Sequence, residues 1–167
     1  MGSDAAASRS PTRRYAERQT AIIASAVEVL NRKGVRGMTL GEVAARLDLV
    51  PTGVIYYFRN KEELAAACFL RGVELFNGFI AEGAAAESPR ERLGGFIHAY
   101  VDFQRRAALG EAEPLAVFND VRALRRAAVD EAYVDMFRAM RGLFDGRPTL
   151  ALSRPERNAR THLLLAE

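Results

Sequence analysis

The stretch from Thr39 to Phe58 constrains this chain most, because it sets two helix starts and a break within very little sequence. Thr39 stands three positions before Glu42. At that spacing a threonine hydroxyl and a glutamate carboxylate can each cap a free amide at a helix start. One helix is therefore expected over Leu40 to Leu47. After a break at Asp48 to Val50 a second is expected over Pro51 to Tyr57, since proline's fixed φ and missing amide suit a first helical turn. Helices this short have little stability of their own and must share a small core. Val43, Leu47, Leu49, Val54 and Tyr57 are apolar or amphipathic at the positions that would close it, and Ala44 is small where the axes cross. Asp48 falls at the turn residue that needs positive φ, which aspartate tolerates. The details are those of a helix-turn-helix rather than of an ordinary helical corner.

The flanking sequence reads as helix throughout. Residues Met1 to Thr12 are rich in Ala, Ser and Gly without apolar period, and residues 1–14 are expected to form a flexible arm. From Tyr15, residues Ile22, Ile23, Ala26, Val27 and Leu30 recur at helical spacing, ended by Gly34 as a left-handed cap. Asn60 with Glu63 starts a fourth helix running from Lys61 towards Glu82, with Leu64, Cys68, Leu75, Phe76 and Phe79 on one face. Ser88-Pro89-Arg90-Glu91 starts a fifth, burying Leu93, Phe96, Ile97, Tyr100 and Val101. Pro114 is expected to open a sixth that carries Leu115, Phe118 and Val121. Tyr133, Met136, Phe137, Met140 and Phe144 mark a seventh, and Ser153-Arg154-Pro155-Glu156 starts an eighth, still running where the sequence ends. No strand-like alternation occurs, so the fold class is all-α.

Charge is unevenly distributed. Residues 1–61 hold ten Lys/Arg against five Asp/Glu, whereas the remainder holds 14 against 16. A basic head on a near-neutral body suits a polyanion partner. Cys68 is the only cysteine, which excludes an internal disulfide. No uninterrupted apolar run is long enough for a membrane span and no signal peptide is evident, so a cytoplasmic address without membrane association is expected.

The run Thr39-Leu40-Gly41-Glu42-Val43-Ala44-Ala45-Arg46-Leu47, followed by Val54-Ile55-Tyr56-Tyr57-Phe58-Arg59-Asn60-Lys61-Glu62-Glu63-Leu64, resembles the tetracycline-repressor (TetR) family of transcriptional regulators. The resemblance covers Arg18 to Leu64. It implies a helix-turn-helix DNA-binding domain over residues 15–60 and a helical ligand-binding and dimerisation domain over 61–167, the latter truncated at its C-terminal end. Three positions depart from the pattern: Asp48 replaces the usual turn glycine, Val50 a frequent Ser or Thr cap, and Ile55 a common tyrosine. The fold expectation survives them, but two polar groups that often touch DNA in the family are missing.

On this reading Val50, Pro51, Thr52, Gly53, Ile55 and Tyr56 face the major groove, with Thr52 able to bond a base or phosphate and Ile55 to touch a thymine methyl. Gly53 lets the backbone approach DNA closely. Thr39, Tyr56, Tyr57 and Lys61 are candidate phosphate contacts. Phe58 is core. Arg13 and Arg14 could reach a minor groove, though a solvated arm explains them more simply.

The resemblance implies that helices four to seven enclose a small-molecule inducer and that the last two helices form a homodimer. Phe69, Phe76, Phe96, Tyr100, Phe103, Phe118, Tyr133 and Phe137 are the candidate ligand-lining residues, although most large apolar residues serve only as core. His98, Asp102, Gln104, Asn119 and Asp120 could orient a ligand. The implied function is an inducer-released repressor that binds a double-stranded palindromic operator as a dimer. A helical small-molecule carrier or interaction protein without DNA binding is the alternative, against which the basic head and Lys61 both weigh. Catalysis is not expected: His98 and Asp102 have no third partner identifiable from sequence, and Cys68 lies on an apolar face. No Glu-x-x-His pair, cysteine cluster or glycine-rich phosphate loop is present, so no metal or cofactor is expected.

Overall fold

The computed structural model describes residues 11–117, 124–145 and 153–165, which form seven helices and no strand. They are α1 (Pro11–Gly37), α2 (Leu40–Ala45), α3 (Pro51–Ile55), α4 (Lys61–Ala84), α5 (Pro89–Ala108), α6 (Ala127–Gly142) and α7 (Arg154–Leu165). The chain divides into two units, Met1–Ala65 and Ala66–Glu167, here called the head and the body.

In the head, α1 starts at Pro11 rather than at Tyr15. Proline suits a first helical turn, and Arg13 pairs with Glu17 at 3.0 Å one turn along, so residues 11–14 are helix and not arm. Gly34 takes φ 66° and ψ 177°. This is not the left-handed cap expected, but an extended positive-φ conformation open essentially to glycine alone, and it kinks the helix, which resumes as far as Gly37. Helix α2 starts on Thr39, whose hydroxyl accepts from the Glu42 amide at 3.2 Å. The reciprocal half of the box is not made, because the Glu42 carboxylate turns to Lys33 (2.8 Å) and Arg32 (3.9 Å) on α1. Arg46 and Glu28 form a second α2–α1 ion pair. Ile22, Val27, Val29, Met38, Val43, Ala44, Val54 and Leu64 are fully or almost fully buried. Burial of each larger aliphatic side chain contributes about 1.5–3 kcal/mol.

In the body, α4 and α5 cross at glycine. A Cβ on Gly83 would lie 2.4 Å from the Arg92 carbonyl oxygen, and one on Gly95 would lie 3.1 Å from the Gly83 Cα. That approach packs Phe76, Phe79 and Ile80 against Phe96 and Ala99, with Met136, Met140 and Leu143 in the same core. The capping boxes at Ser88/Glu91 and Ser153/Glu156 form as expected. Hydrogen bonds from the serine hydroxyl and amide hold both carboxyls below the usual glutamate range. The support these caps give is complete above that range and is lost as pH falls through the depressed values.

Two expectations change here. No helix opens at Pro114, where residues 113–117 are irregular; its predecessor Glu113 is not a capping residue and instead binds Arg71 Nε at 2.8 Å. Phe118, Asn119, Asp120 and Val121 lie outside the described residues, as does most of the Asp145–Pro148 turn. The expected seventh helix is therefore α6, and it begins at Ala127, ahead of its first recognised marker Tyr133. Among the described residues one helix, α4, is long and apolar enough to cross a membrane by length and composition, with 56% of that window buried inside the protein.

Candidate nucleic-acid interface

Helices α2 and α3 meet through a turn fixed by backbone bonds. The Ala44 carbonyl accepts from the Leu47 amide (3.0 Å) and the Leu49 amide (2.9 Å), and Asp48 sits at φ 53°, as the sequence requires. Val43, Ala44 and Val54 are wholly buried and Phe58 nearly so, so the unit's inner face is used up by packing.

What remains on α3 faces out. Val50 is 66% exposed, Ile55 46% and Tyr56 74%, with Pro51 and Thr52 exposed and Gly53 half-buried. The predicted reading residues thus share one outward end of the head. Val50 caps the helix without a side-chain bond, so an apolar group occupies the place where a hydroxyl would otherwise be held. A Cβ on Gly53 would meet only the Leu49 side chain, at 3.7–3.9 Å, which is ordinary contact. The fold itself therefore does not demand glycine there.

The candidate phosphate contacts divide. Thr39 is exposed, and its hydroxyl, already accepting from Glu42, still has a proton to donate. The Lys61 ammonium donates to the Arg36 carbonyl at 3.0 Å, which ties the start of α4 to the end of α1. Tyr57 is half-buried and packs against other rings rather than standing free, tilted 4.7 Å from Tyr15 and edge-on 5.1 Å from Tyr56. Tyr15 did not emerge as a site residue from the sequence. The available signal was that it precedes Ile22 by seven positions, two turns along the same face of α1.

The head's positive charge is also sorted. Arg13, Arg32, Lys33 and Arg46 are neutralised by Glu17, Glu28 and Glu42. Arg14, Arg18, Arg36 and Arg59 are exposed and enter no ion pair among the described residues.

Among the described residues the ligand-lining candidates fall in two places. Phe69, Phe76 and Phe96 are buried. Tyr100 stacks on Phe96 with centroids 6.3 Å apart, and Phe103 lies 5.2 Å from Phe79, so these rings fill the α4–α5 core with one another. Tyr133 and Phe137 instead line a cleft of about 320 Å³ between α6 and α7, with Val134, Arg138, Arg141, Arg154 and His162. Phe137 packs against the His162 ring at 4.7 Å, with the Arg141 guanidinium 5.9 Å from its centre.

The groups weighed for catalysis line neither the described core cluster nor the described cleft. Asp102 is held below the usual carboxylate range chiefly by Arg105, which donates to it at 2.9 Å, and His98 is exposed. Burial pushes the Cys68 thiol up to about 12, where it is too weakly ionised to serve as a nucleophile. The described residues contain no group of three or more His, Cys, Asp and Glu able to hold a metal.

Residues 22–68 match the model of the bacterial regulatory proteins of the tetR family. No curated protein sequence matches the chain. Among solved structures, it is similar to the fatty acid degradation regulator FadR from Bacillus halodurans, with a TM-score of 0.63 at 16% identity over 95% of this chain and 80% of that one. A tetR-family regulatory protein from Rhodococcus RHA1 gives 0.59 at 22% identity, covering 89% and 79%. The multidrug binding protein EbrR, complexed with imidazole, gives 0.55 at 22% identity, covering 96% and 94%. At such identities the likeness is one of fold, and it extends beyond the head through the helical body. The head thus matches the tetR-family model in sequence over residues 22–68, and the chain as a whole shares the fold of these regulatory proteins.

Proposed function

We propose that the protein is an inducer-released repressor that binds a palindromic operator as a homodimer in the cytoplasm. The observation that carries the DNA-binding part is the outward set Val50, Pro51, Thr52, Ile55 and Tyr56 on a helix whose inner face is fully packed. A symmetric dimer presents two such helices to half-sites about one or more DNA turns apart. Because the exposed groups are mostly apolar, readout rests on thymine methyls and groove shape more than on bidentate hydrogen bonds. Regulation accounts for the head in a way that catalysis or simple carriage does not. Selection of bound sequences from a random duplex pool is expected to return a palindrome. Recovery of no enriched sequence, with no duplex bound even at low salt, would favour the carrier.

Gly53 gives a sharper check. Gly53→Ala should leave the unfolding midpoint unchanged or slightly higher, since helix propensity improves and the new methyl has room. Affinity for the selected duplex should nevertheless fall by about tenfold, because the methyl stands where backbone meets groove. Unaltered affinity, read by fluorescence anisotropy, would remove Gly53 from the interface.

For the inducer, the cleft between α6 and α7 supports one chemical class. An aromatic floor of Tyr133 and Phe137 lies beside Arg141 and Arg154, and Arg154 has no ion pair among the described residues. Such a lining favours an organic anion with a flat apolar body. 2-Naphthoate is expected to raise the melting temperature and loosen DNA binding more than the neutral 2-naphthylmethanol does. Arg141→Met should abolish that difference, and equal effects of the two compounds on the unaltered protein would exclude an anion site.

A further inference from the structure

We infer that the start of α1 is a fixed part of the DNA interface, in which Arg14 and Arg18 contact phosphates and Tyr15 holds them in place. The inference rests on the DNA-binding reading above and extends it to residues outside the helix-turn-helix and outside the matched segment 22–68.

Three observations converge. First, residues 11–20 are helical, so Arg14 and Arg18 are displayed from a rigid rod. Being four apart, they lie above one another on one flank of α1, beside the stripe formed by Tyr15, Ile22 and Ala26. Second, that stripe is anchored at both ends. Ile22 and Ala26 are wholly buried in the head, and the Tyr15 ring packs 4.7 Å from Tyr57 and 6.1 Å, nearly edge-on, from Tyr56. Tyr56 is the most exposed large hydrophobic residue at the reading end of the head, so the first turns of α1 lie against the residues proposed to meet DNA. Third, charge is selectively left unpaired. Arg13 in the same turn is bound by Glu17 at 3.0 Å, whereas Arg14 and Arg18 enter no ion pair among the described residues. The first turn of α1 also has no acidic residue to oppose a phosphate.

An ion-paired arginine gains little by approaching a phosphate, since it must give up its partner. An unpaired arginine held beside the groove releases a counterion when it docks. Tyr15 is thus a positioning residue that needs its ring and not its hydroxyl.

The test measures binding of the whole chain to a labelled mixed-sequence duplex of about 30 base pairs as salt rises, because phosphate contacts do not depend on sequence. The variant Arg14→Gln/Arg18→Gln should reduce the slope of log K against log salt by about two per protomer, with unchanged melting temperature. Arg13→Gln, losing a charge already paired, should change it by less than half as much per residue. Tyr15→Phe should bind like the parent, whereas Tyr15→Ala, assayed well below its melting temperature, should lose several-fold in affinity and part of the slope. A double arginine variant with the parent's slope overturns the inference while leaving the helix-turn-helix reading intact. A parent that binds no duplex overturns both.

Discussion

Replacing Gly83 with alanine is expected to lower the unfolding midpoint of this protein, while the same change at Gly78, in the same helix, raises it. Alanine in place of glycine within a helix gains about 1 kcal/mol from backbone entropy alone. At Gly78 a Cβ would find nothing within 4 Å, so the gain is kept. At Gly83 it would lie 2.4 Å from the Arg92 carbonyl oxygen, 2.9 Å from the Phe96 amide nitrogen and 3.2 Å from the Phe96 Cβ. The two nearest are backbone atoms of α5, which cannot swing aside as a side-chain end would. Helix α5 must therefore move off α4, loosening the contacts of Phe76 and Phe79 with Phe96 and Tyr100. Overpacking of this kind costs about 1–3 kcal/mol and often more when backbone is forced, so the propensity gain is outweighed and the midpoint drops by several degrees. Thermal melts followed by circular dichroism decide it. Equal upward shifts for the two variants would mean that the α4–α5 crossing yields freely.

Phe69 carries the other large effect. The sequence made it a candidate ligand-lining residue, whereas in the structure its side chain is 0% exposed and it lines no described cavity. Phe69→Ala should then cost about 3–5 kcal/mol, the transfer energy of the lost ring plus the cavity it leaves. That is a large part of the whole stability of a domain this size. Phe69→Met, which keeps most of the volume, should cost much less. Urea unfolding of both, with the denaturant slope unchanged, is the measurement. A loss for Phe69→Ala below about 1 kcal/mol would mean that the side chain faces open space and would restore the ligand-lining role.

The local grammar of the helix starts is legible in the sequence in both the head and the body. Thr39, Asn60, Ser88 and Ser153 mark helix starts because their side chains accept from an amide three residues on, and Pro51 does so because its φ is fixed and it lacks an amide to satisfy. Asp48 takes positive φ for an equally local reason, the backbone of a tight turn. The same grammar misled at Pro114, where proline tolerates a helix start but does not compel one, and at α1, where an alanine- and serine-rich beginning masked a helix that starts at Pro11. Gly34 was correctly read as a break, but the conformation it adopts there was not.

The ligand candidates show what a sequence pattern leaves open, for a physical reason. A phenylalanine on an apolar helical face has the same pattern whether it meets a cavity or another ring. Among the described residues Phe76, Phe79, Phe96, Tyr100 and Phe103 meet one another, whereas Tyr133 and Phe137 line the cleft between α6 and α7.

By itself, the sequence determined the all-helical class, the helix-turn-helix, its turn residue and the outward-facing residues of α3, since these depend on side chains acting within a turn or two of themselves. Tertiary structure decided which basic residues stay available for a polyanion, that Tyr15 joins α1 to Tyr56 and Tyr57, and which aromatic side chains fill the core. Those outcomes turn on pairings such as Glu28 with Arg46 and Glu42 with Lys33, between residues far apart in the chain, and composition and periodicity carry no record of such distances.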